Sequence, residues 1–461
     1  MTIKKSARQL GFGVVFFVLT GILLAKVIMI SLTLGIIALS CAILLVLTIV
    51  FRKMDYLLYA WLVLTSVIWF IMLRGLSPAY YQFIGRGIFW GILVCAFAAW
   101  AIDIILRGRQ FTPLDNVSLK ASILVFVLWC TATLTTSVDV LYSFRKWLHI
   151  IFALVASYMF YDFFSRDEKN IKRMINIVSL VMVLVSSLTI AVAARALMLG
   201  MPIYKEINLW FQNPNVLGAF LMVPLPILVT SGFNFWPVRR FKWLFLSPVF
   251  LALLISSSRS AWLAVLVALT FLCSKGKTRL PFAAVTTVVL VLGSITFPFW
   301  GTDFYDFIAG ERYTGRREIW QAALSTVRDY PLFGIGLGNS AKVVPNYIEN
   351  PYFASHFVNT HNLYLQNSVE MGFGSVLILL VFYVIFFLSS VRIENSLKSH
   401  DLKLVVRGTL ATFLALLVHG IFECGSFLTT FDAGEFTVML PYILMALPFA
   451  AKKLEGRAQP G

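Results

Sequence analysis

The sequence predicts an all-α polytopic membrane protein of about 12–14 transmembrane helices, with one long external loop containing short helices. Three observations lead to this reading. Hydrophobic residues fill 59% of the 461 positions and charged residues only 13%, against roughly 25% charged in an average soluble domain. The apolar residues are gathered into runs of about 20, the length that crosses a bilayer as a helix. The polar residues are gathered into the connections, and one connection is far longer than the rest. A large soluble enzyme cannot cover its surface with such a composition. A disordered chain, a disulfide-rich secreted module and a coiled coil are excluded on the same grounds.

The expected spans are 11–25, 27–50, 54–73, 83–105, 119–136, 147–164, 174–197, 215–231, 241–257, 260–273, 280–300, 365–390, 403–422 and 434–450. Lys26 alone divides the first two, and 260–273 is short. Helices are required because lipid offers backbone groups no partner, and the short alternating pattern of an outer-membrane barrel is absent. This gives an N-terminal transmembrane bundle over 1–300, an external loop over 301–364, C-terminal transmembrane helices over 365–454 and a polar tail over 455–461. The five cysteines lie almost wholly in apolar runs, so no structural disulfide is expected.

The net charge of +17 reports orientation. Lys4, Lys5 and Arg8, then Arg52 and Lys53, Arg107 and Arg109, Lys169 and Lys172, Arg239 and Arg240, and finally Lys452 and Lys453 fall in alternate connections. The positive-inside rule makes that side cytoplasmic, with both termini. No aromatic-basic pattern accompanies the charge, so nucleic acid is not an expected partner. The opposite side holds 74–82, 137–146, 198–214, 258–259, 301–364 and 423–433. Of these, 301–364 carries six acidic and five basic residues and must have structure or function of its own.

Within that loop a helix is expected over 315–330, capped by Thr314, with Trp320, Ala323, Leu324 and Val327 on one face. Pro331 ends it. The following Gly334, Gly336 and Gly338 allow a tight, irregular backbone. Two readings of this turn are open: it packs the helix onto the membrane bundle, or it touches a phosphate or sugar directly. His361, just before the next span, is either a helix-end polar residue or a group that exchanges a proton near neutral pH. His356 lies five positions upstream, but no third ligand stands at convincing spacing, and no metal site or cofactor is expected. Arg259, between two apolar runs, must sit at the membrane surface. It either snorkels to water or binds an anion, for which its planar donors suit phosphate oxygens.

Together these residues suggest chemistry on a lipid-linked phosphate. Arg259 and Arg316 would neutralise a diphosphate, and His361 would accept a proton from an incoming hydroxyl. A transporter would share the composition, but its support is limited to the broken helix implied by Pro224 and Pro226.

Four motifs carry a family likeness: Phe211-Gln-Asn213-Pro-Asn215-Val-Leu-Gly218, Ser258-Arg259-Ser-Ala261, Thr314-Gly-Arg316-Arg317-Glu-Ile-Trp320 with Pro331-Leu-Phe-Gly-Ile-Gly336, and Thr360-His361-Asn362-Leu-Tyr-Leu365. In this order, with the long loop, the chain resembles the O-antigen ligase and O-antigen polymerase superfamily. The resemblance runs through roughly 200–390 and implies a glycosyltransferase-C-like membrane architecture. It implies a metal-independent glycosyltransferase with no cofactor, placed in the bacterial inner membrane with its active site facing the periplasm. The implied donor is an undecaprenyl-diphosphate-linked polysaccharide. The implied acceptor is lipid A-core oligosaccharide for a ligase, a second lipid-linked glycan for a polymerase, or a pilin-like protein for the related oligosaccharyltransferases. The family's essential arginines match Arg259 and Arg316, with Arg317 adjacent, and its catalytic histidine matches His361. Asn213, Asn215 and Asn362 are the accompanying substrate-binding candidates.

Overall fold

The computed structural model describes residues 58–59, 78–108, 110, 112–211, 214–232, 241–274, 311–424 and 435–458. The expected spans 11–25, 27–50 and 280–300, and nearly all of 54–73, lie outside these residues, as does Asn213. Among the described residues every regular element is a helix. Helices are numbered below in chain order over the described residues. The chain divides into two compact units, Met1–Phe111 and Thr112–Gly461.

In the first unit, α1 (Pro78–Arg107) runs 30 residues, about 45 Å at 1.5 Å per residue. One of its faces is buried through Ile92, Leu93 and Ala96.

The second unit opens with α2 (Val117–Ala132), extended to Thr136 by a 3-10 turn, then α3 (Val140–Phe164) and α4 (Glu168–Met198). Each starts where its sequence supplies a side-chain acceptor. Asn116, Asp139 and Asp167 accept from the N–H groups of Leu119, Tyr142 and Lys169, satisfying donors that the first turn leaves without partners. With α14 (Phe373–Ser396) and α15 (His400–His419), they give five helices among the described residues that are long and apolar enough to cross a membrane.

Between α4 and α14 the helices are shorter. After α5 (Ile203–Phe211), the expected span 215–231 is two pieces, α6 (Pro214–Met222) and α7 (Leu225–Thr230), broken ahead of Pro224 and Pro226. The break frees the Val223 carbonyl, and the Thr412 hydroxyl of α15 donates to it at 2.9 Å. A neighbouring helix thus meets the backbone demand that lipid cannot. Next come α8 (Lys242–Ile255) and α9 (Arg259–Ser274).

The external loop folds around its own small core. Helix α10 spans Glu311–Asp329, so it begins before Thr314, which lies inside the helix and is not its cap. Ala322 and Ala323 of α10 pack with Ile335, Val344, Ile348 and Val369, flanked by Ile319 and Val327. Leu324, expected on this face, is 58% exposed, because the buried stripe follows 319, 322, 323, 326 and 327. Short helices α11 (Ser340–Val343) and α12 (Pro351–Ser355) complete the loop.

The expected span 365–390 also divides. Helix α13 (Leu363–Met371) ends at Gly372, and α14 starts at Phe373. Gly372 has φ +76°, and a Cβ there would lie 1.9 Å from the Leu332 carbonyl oxygen. The chain ends in α16 (Glu435–Met445) and α17 (Leu447–Ala458). The polar tail expected from 455 is helical through Ala458, because Arg457 donates to the Ser165 carbonyl and Glu455 accepts from the N–H of Ser399.

Candidate active site

Glu423, just beyond the end of α15, is the centre of the constellation. One of its oxygens, Oε1, accepts from Asn215 Nδ2 at 2.7 Å and from Arg316 Nη2 at 3.1 Å. The other, Oε2, lies 3.2 Å from His361 Nδ1. Four elements distant in sequence thus meet on one carboxylate: the first turn of α6, the second turn of α10, the strap before α13 and the end of α15. The Glu423 side chain is 13% exposed, whereas Arg316 and His361 are 35% and 33% exposed. The carboxylate is thus the more buried member, and Arg316 and His361 are the more exposed ones.

Electrostatics keep that carboxylate charged. Burial pushes the Glu423 carboxyl up, but the hydrogen bond from His361 and the charges of His361 and Arg316 outweigh it and hold the group below its ordinary range. An ionised carboxylate only accepts hydrogen bonds, so the proton in the contact belongs to His361 Nδ1. That fixes the tautomer and leaves Nε2 as the unprotonated nitrogen of the neutral ring.

The strap holding His361 is built for position. His361 has φ +51°, one of two non-glycine residues in the left-handed region among the described residues. Its N–H donates to Asn359 Oδ1 at 2.8 Å. The preceding Thr360 is fully buried. Its N–H donates to Gln366 Oε1, its hydroxyl to the Asn362 carbonyl, and its own carbonyl accepts from Trp320 Nε1. Asn362 caps α13 by accepting from the Leu365 N–H, and the Leu363 N–H donates to the Gly420 carbonyl. An unfavourable backbone angle enforced by this many partners is the pattern of a functionally placed residue. Asn362, expected to bind substrate, spends its side-chain oxygen on the cap.

The second such residue is Ser257, at φ +54° in the turn before Arg259. Arg259 is the first residue of α9 and is exposed. Its turn packs on the first motif: a Cβ at Gly218 would lie 2.4 Å from Ser258 Cβ and 3.1 Å from Ala261 Cβ, so only glycine lets α6 approach this closely. Gly218 is three positions, about one helical turn, beyond Asn215. Arg259 is also the first residue of α9, at the positive end of the helix dipole, which disfavours a cation and favours a bound anion. Arg316 was expected in such a place and is instead inside α10. Arg317, exposed on α10, is not part of the Glu423 set.

The glycine turn packs against protein. The N–H groups of Ile335 and Gly336 donate to the Val369 and Glu370 carbonyls. A Cβ at Gly336 would collide with Ser137. Asn339 is fully buried and donates to Ser137 and Ser143. Of the two readings left open by the sequence, the geometry favours packing onto the bundle. His356 stacks on Tyr352 with ring centroids 4.4 Å apart and has Nδ1 2.8 Å from the Tyr352 carbonyl.

Residues 241–381 match the family model described as O-antigen ligase. Over this segment the chain is similar to the O-antigen ligase family. The matched segment holds Arg259, Arg316, Arg317, His361 and Asn362, while Asn215 and Glu423 flank it on either side. A comparison with curated proteins gives no match.

Glu423 escaped the sequence reading. Its one signal was a carboxylate directly after an apolar span, four residues beyond His419. His419 is buried, and among the described residues neither of its ring nitrogens has a hydrogen-bond partner.

Proposed function

We propose that this protein is an inverting O-antigen ligase that moves a glycan from undecaprenyl diphosphate to lipid A-core oligosaccharide on the periplasmic face of the inner membrane. The observation that carries the proposal is the convergence of Asn215, Arg316 and His361 on Glu423, together with the O-antigen ligase match over 241–381, which holds Arg316 and His361.

In this reading the acceptor hydroxyl donates its proton to His361 Nε2 as its oxygen attacks the donor's anomeric carbon. The bond from that carbon to the diphosphate oxygen breaks on the opposite face, and undecaprenyl diphosphate leaves. Glu423 stabilises the imidazolium that forms and holds the ring in register. Arg316 keeps one nitrogen on Glu423 and turns its other donors to the departing phosphate oxygens. Arg259 adds a second planar set of donors from the start of α9. Positive side chains thus take the role a divalent metal fills in other phosphate chemistry. Asn213 and Asn215 would line the donor's sugar, with Asn215 also fixing the Glu423 oxygen that Arg316 uses.

Purified membranes supplied with defined donor and acceptor test the assignment. His361→Ala is expected to lower turnover by about 10²–10⁴-fold. Arg259→Lys, which keeps charge but loses the donor fork, is expected to stay strongly impaired, and Arg317→Ala to be tolerated. Full turnover by His361→Ala would remove the base, and turnover abolished by chelation and restored by one divalent metal would remove the metal-independent step.

A polymerase would use the same residues with a second lipid-linked glycan as acceptor, and a protein oligosaccharyltransferase would use a protein hydroxyl. Deletion in a suitable host separates the first two. Long glycan left on undecaprenyl diphosphate is the expected ligase outcome; single repeat units on the lipid would assign a polymerase. Movement of donor across proteoliposome bilayers without a new glycosidic bond would assign a transporter.

A further inference from the structure

The second unit has a polar concavity at the end of its bundle remote from Glu423. Helix directions fix the placement. The Glu423 end holds Ser137 after α2, Gly372 before α14 and Gly420 just after α15, all tied to the loop or the strap that follows it. The opposite ends of α2 and α14, the end of α3, and α17 enclose a cleft of about 800 Å³. The 20 residues of Val117–Thr136 separate the two ends, about 30 Å at helical rise.

The cleft is built from two kinds of surface. Leu114, Val117, Ile393 and Phe449 supply apolar wall. Arg392, Lys452, Lys453 and Arg457 supply cations, against Asp115 as the single acidic lining residue. Four positive charges against one negative leave a formal +3. Two of the cations are anchored: Lys453 pairs with Asp115 at 3.0 Å, and Arg457 donates to the Ser165 carbonyl at 2.7 Å. Among the described residues Arg392 and Lys452 have no carboxylate partner, and both are exposed. The nearby acids are engaged elsewhere: Glu394 pairs with Arg407 at 2.7 Å, and Glu455 accepts from backbone N–H groups of Lys398 and Ser399. Asn116 and Ser389 bridge α2 to α14 at 3.0 Å on the cleft's wall. The walls are therefore fixed by polar ties, while part of the charge is left unneutralised.

We infer that this cleft binds the phosphate headgroup of an anionic membrane lipid, with Arg392 and Lys452 as the principal phosphate contacts and the apolar wall receiving the start of an acyl chain. An excess of cations on one face of a spanning bundle is what an anionic leaflet recognises. A concavity that joins those cations to apolar wall selects an amphiphile over a simple ion. The basic connections place this end on the cytoplasmic side, where such lipids present their headgroups. The inference does not depend on the glycosyl-transfer reading.

The full-length protein in nanodiscs tests it. Binding of phosphatidylglycerol is measured by native mass spectrometry against a phosphatidylcholine background, with inorganic phosphate and diphosphate as soluble probes. Arg392→Gln with Lys452→Gln is expected to weaken phosphatidylglycerol retention by about tenfold or more. Lys169→Gln with Lys398→Gln removes the same charge from exposed positions at the same end but outside the cleft, and is expected to leave retention unchanged. Equal loss in both double variants would overturn the site, because the attraction would then be general. Protection of the cleft by inorganic phosphate as strong as that by the lipid would overturn the lipid as its ligand.

Discussion

Glu423 decides how the candidate catalytic groups are held, and its chemistry gives a test that a merely structural carboxylate would not pass. A glutamine in its place keeps an oxygen that can accept from Asn215 or Arg316, but the negative charge that would stabilise the His361 imidazolium is gone. Glu423→Gln is expected to lower turnover by about 10²-fold or more, by analogy with other carboxylate–histidine pairs, with the protein still folded and inserted. Full turnover would show that the carboxylate is not the histidine's partner in the reaction. The pH dependence follows from the direction of its shift. The folded-state carboxyl is held below its ordinary value of 4.5. Its stabilising contribution is therefore complete above about that pH and is lost as pH falls through the lower folded value. The gap in thermal midpoint between the parent protein and Glu423→Gln should narrow as pH falls below the ordinary carboxylate range. A gap that grows below that range would reverse the sign. Arg316, His361 and Asn215 were legible in the sequence because each is a polar residue in a short motif among apolar spans. Glu423 was not. It lies 62 positions from His361 and 107 from Arg316, and no local pattern links residues that far apart.

At the scale of elements, among the described residues hydropathy found the helices and misjudged their joints. The run 365–390 reads as one span because Gly372 leaves no dip in hydropathy, yet its backbone lies at φ +76° and ψ 169°, a region open essentially only to glycine. The joint is also where the loop is tied down: the Phe373 N–H donates to the Pro331 carbonyl, and Trp129 Nε1 of α2 donates to the Met371 carbonyl at 2.9 Å. Gly372→Ala introduces backbone strain of about 1–3 kcal/mol and drives a methyl group into the Leu332 carbonyl. Its thermal midpoint in detergent should fall clearly, while Gly456→Ala, whose added methyl meets nothing within 4 Å, should leave the midpoint nearly unchanged. Equal midpoints for the two variants would mean that the joint is not a rigid anchor. The position of α10 has the same lesson. Thr314 followed by Gly315 imitates a cap signal, but tertiary packing of Ala322, Ala323 and Val327 stabilises the helix, so its start need not coincide with the best local cap.

For the whole molecule, the alternation of basic and neutral connections predicts sides, and the fold brings together residues predicted to share one. Asn215, Arg259, Arg316, His361 and Glu423 lie at or next to connections that the charge pattern puts on one side. The residues among them that meet on Glu423 come from four different elements. Arg392, Lys452, Lys453 and Arg457 come from the opposite ends of helices in the same unit and also meet in one place. An error of one span in the count between 215 and 423 would have put part of each cluster on the wrong side of the bilayer. The arrangement therefore makes a labelling prediction. In a background with all five cysteines replaced, Tyr352→Cys, at a position 63% exposed in the loop, should react with a membrane-impermeant maleimide added outside intact spheroplasts. Lys398→Cys, at the far end of α14, should react only after the membrane is opened. The two sites are separated by the length of a spanning helix, so a single label cannot reach both from one side. Reaction of both in intact spheroplasts, or of Lys398→Cys alone, would contradict the assigned orientation and with it a periplasmic place for the Glu423 site.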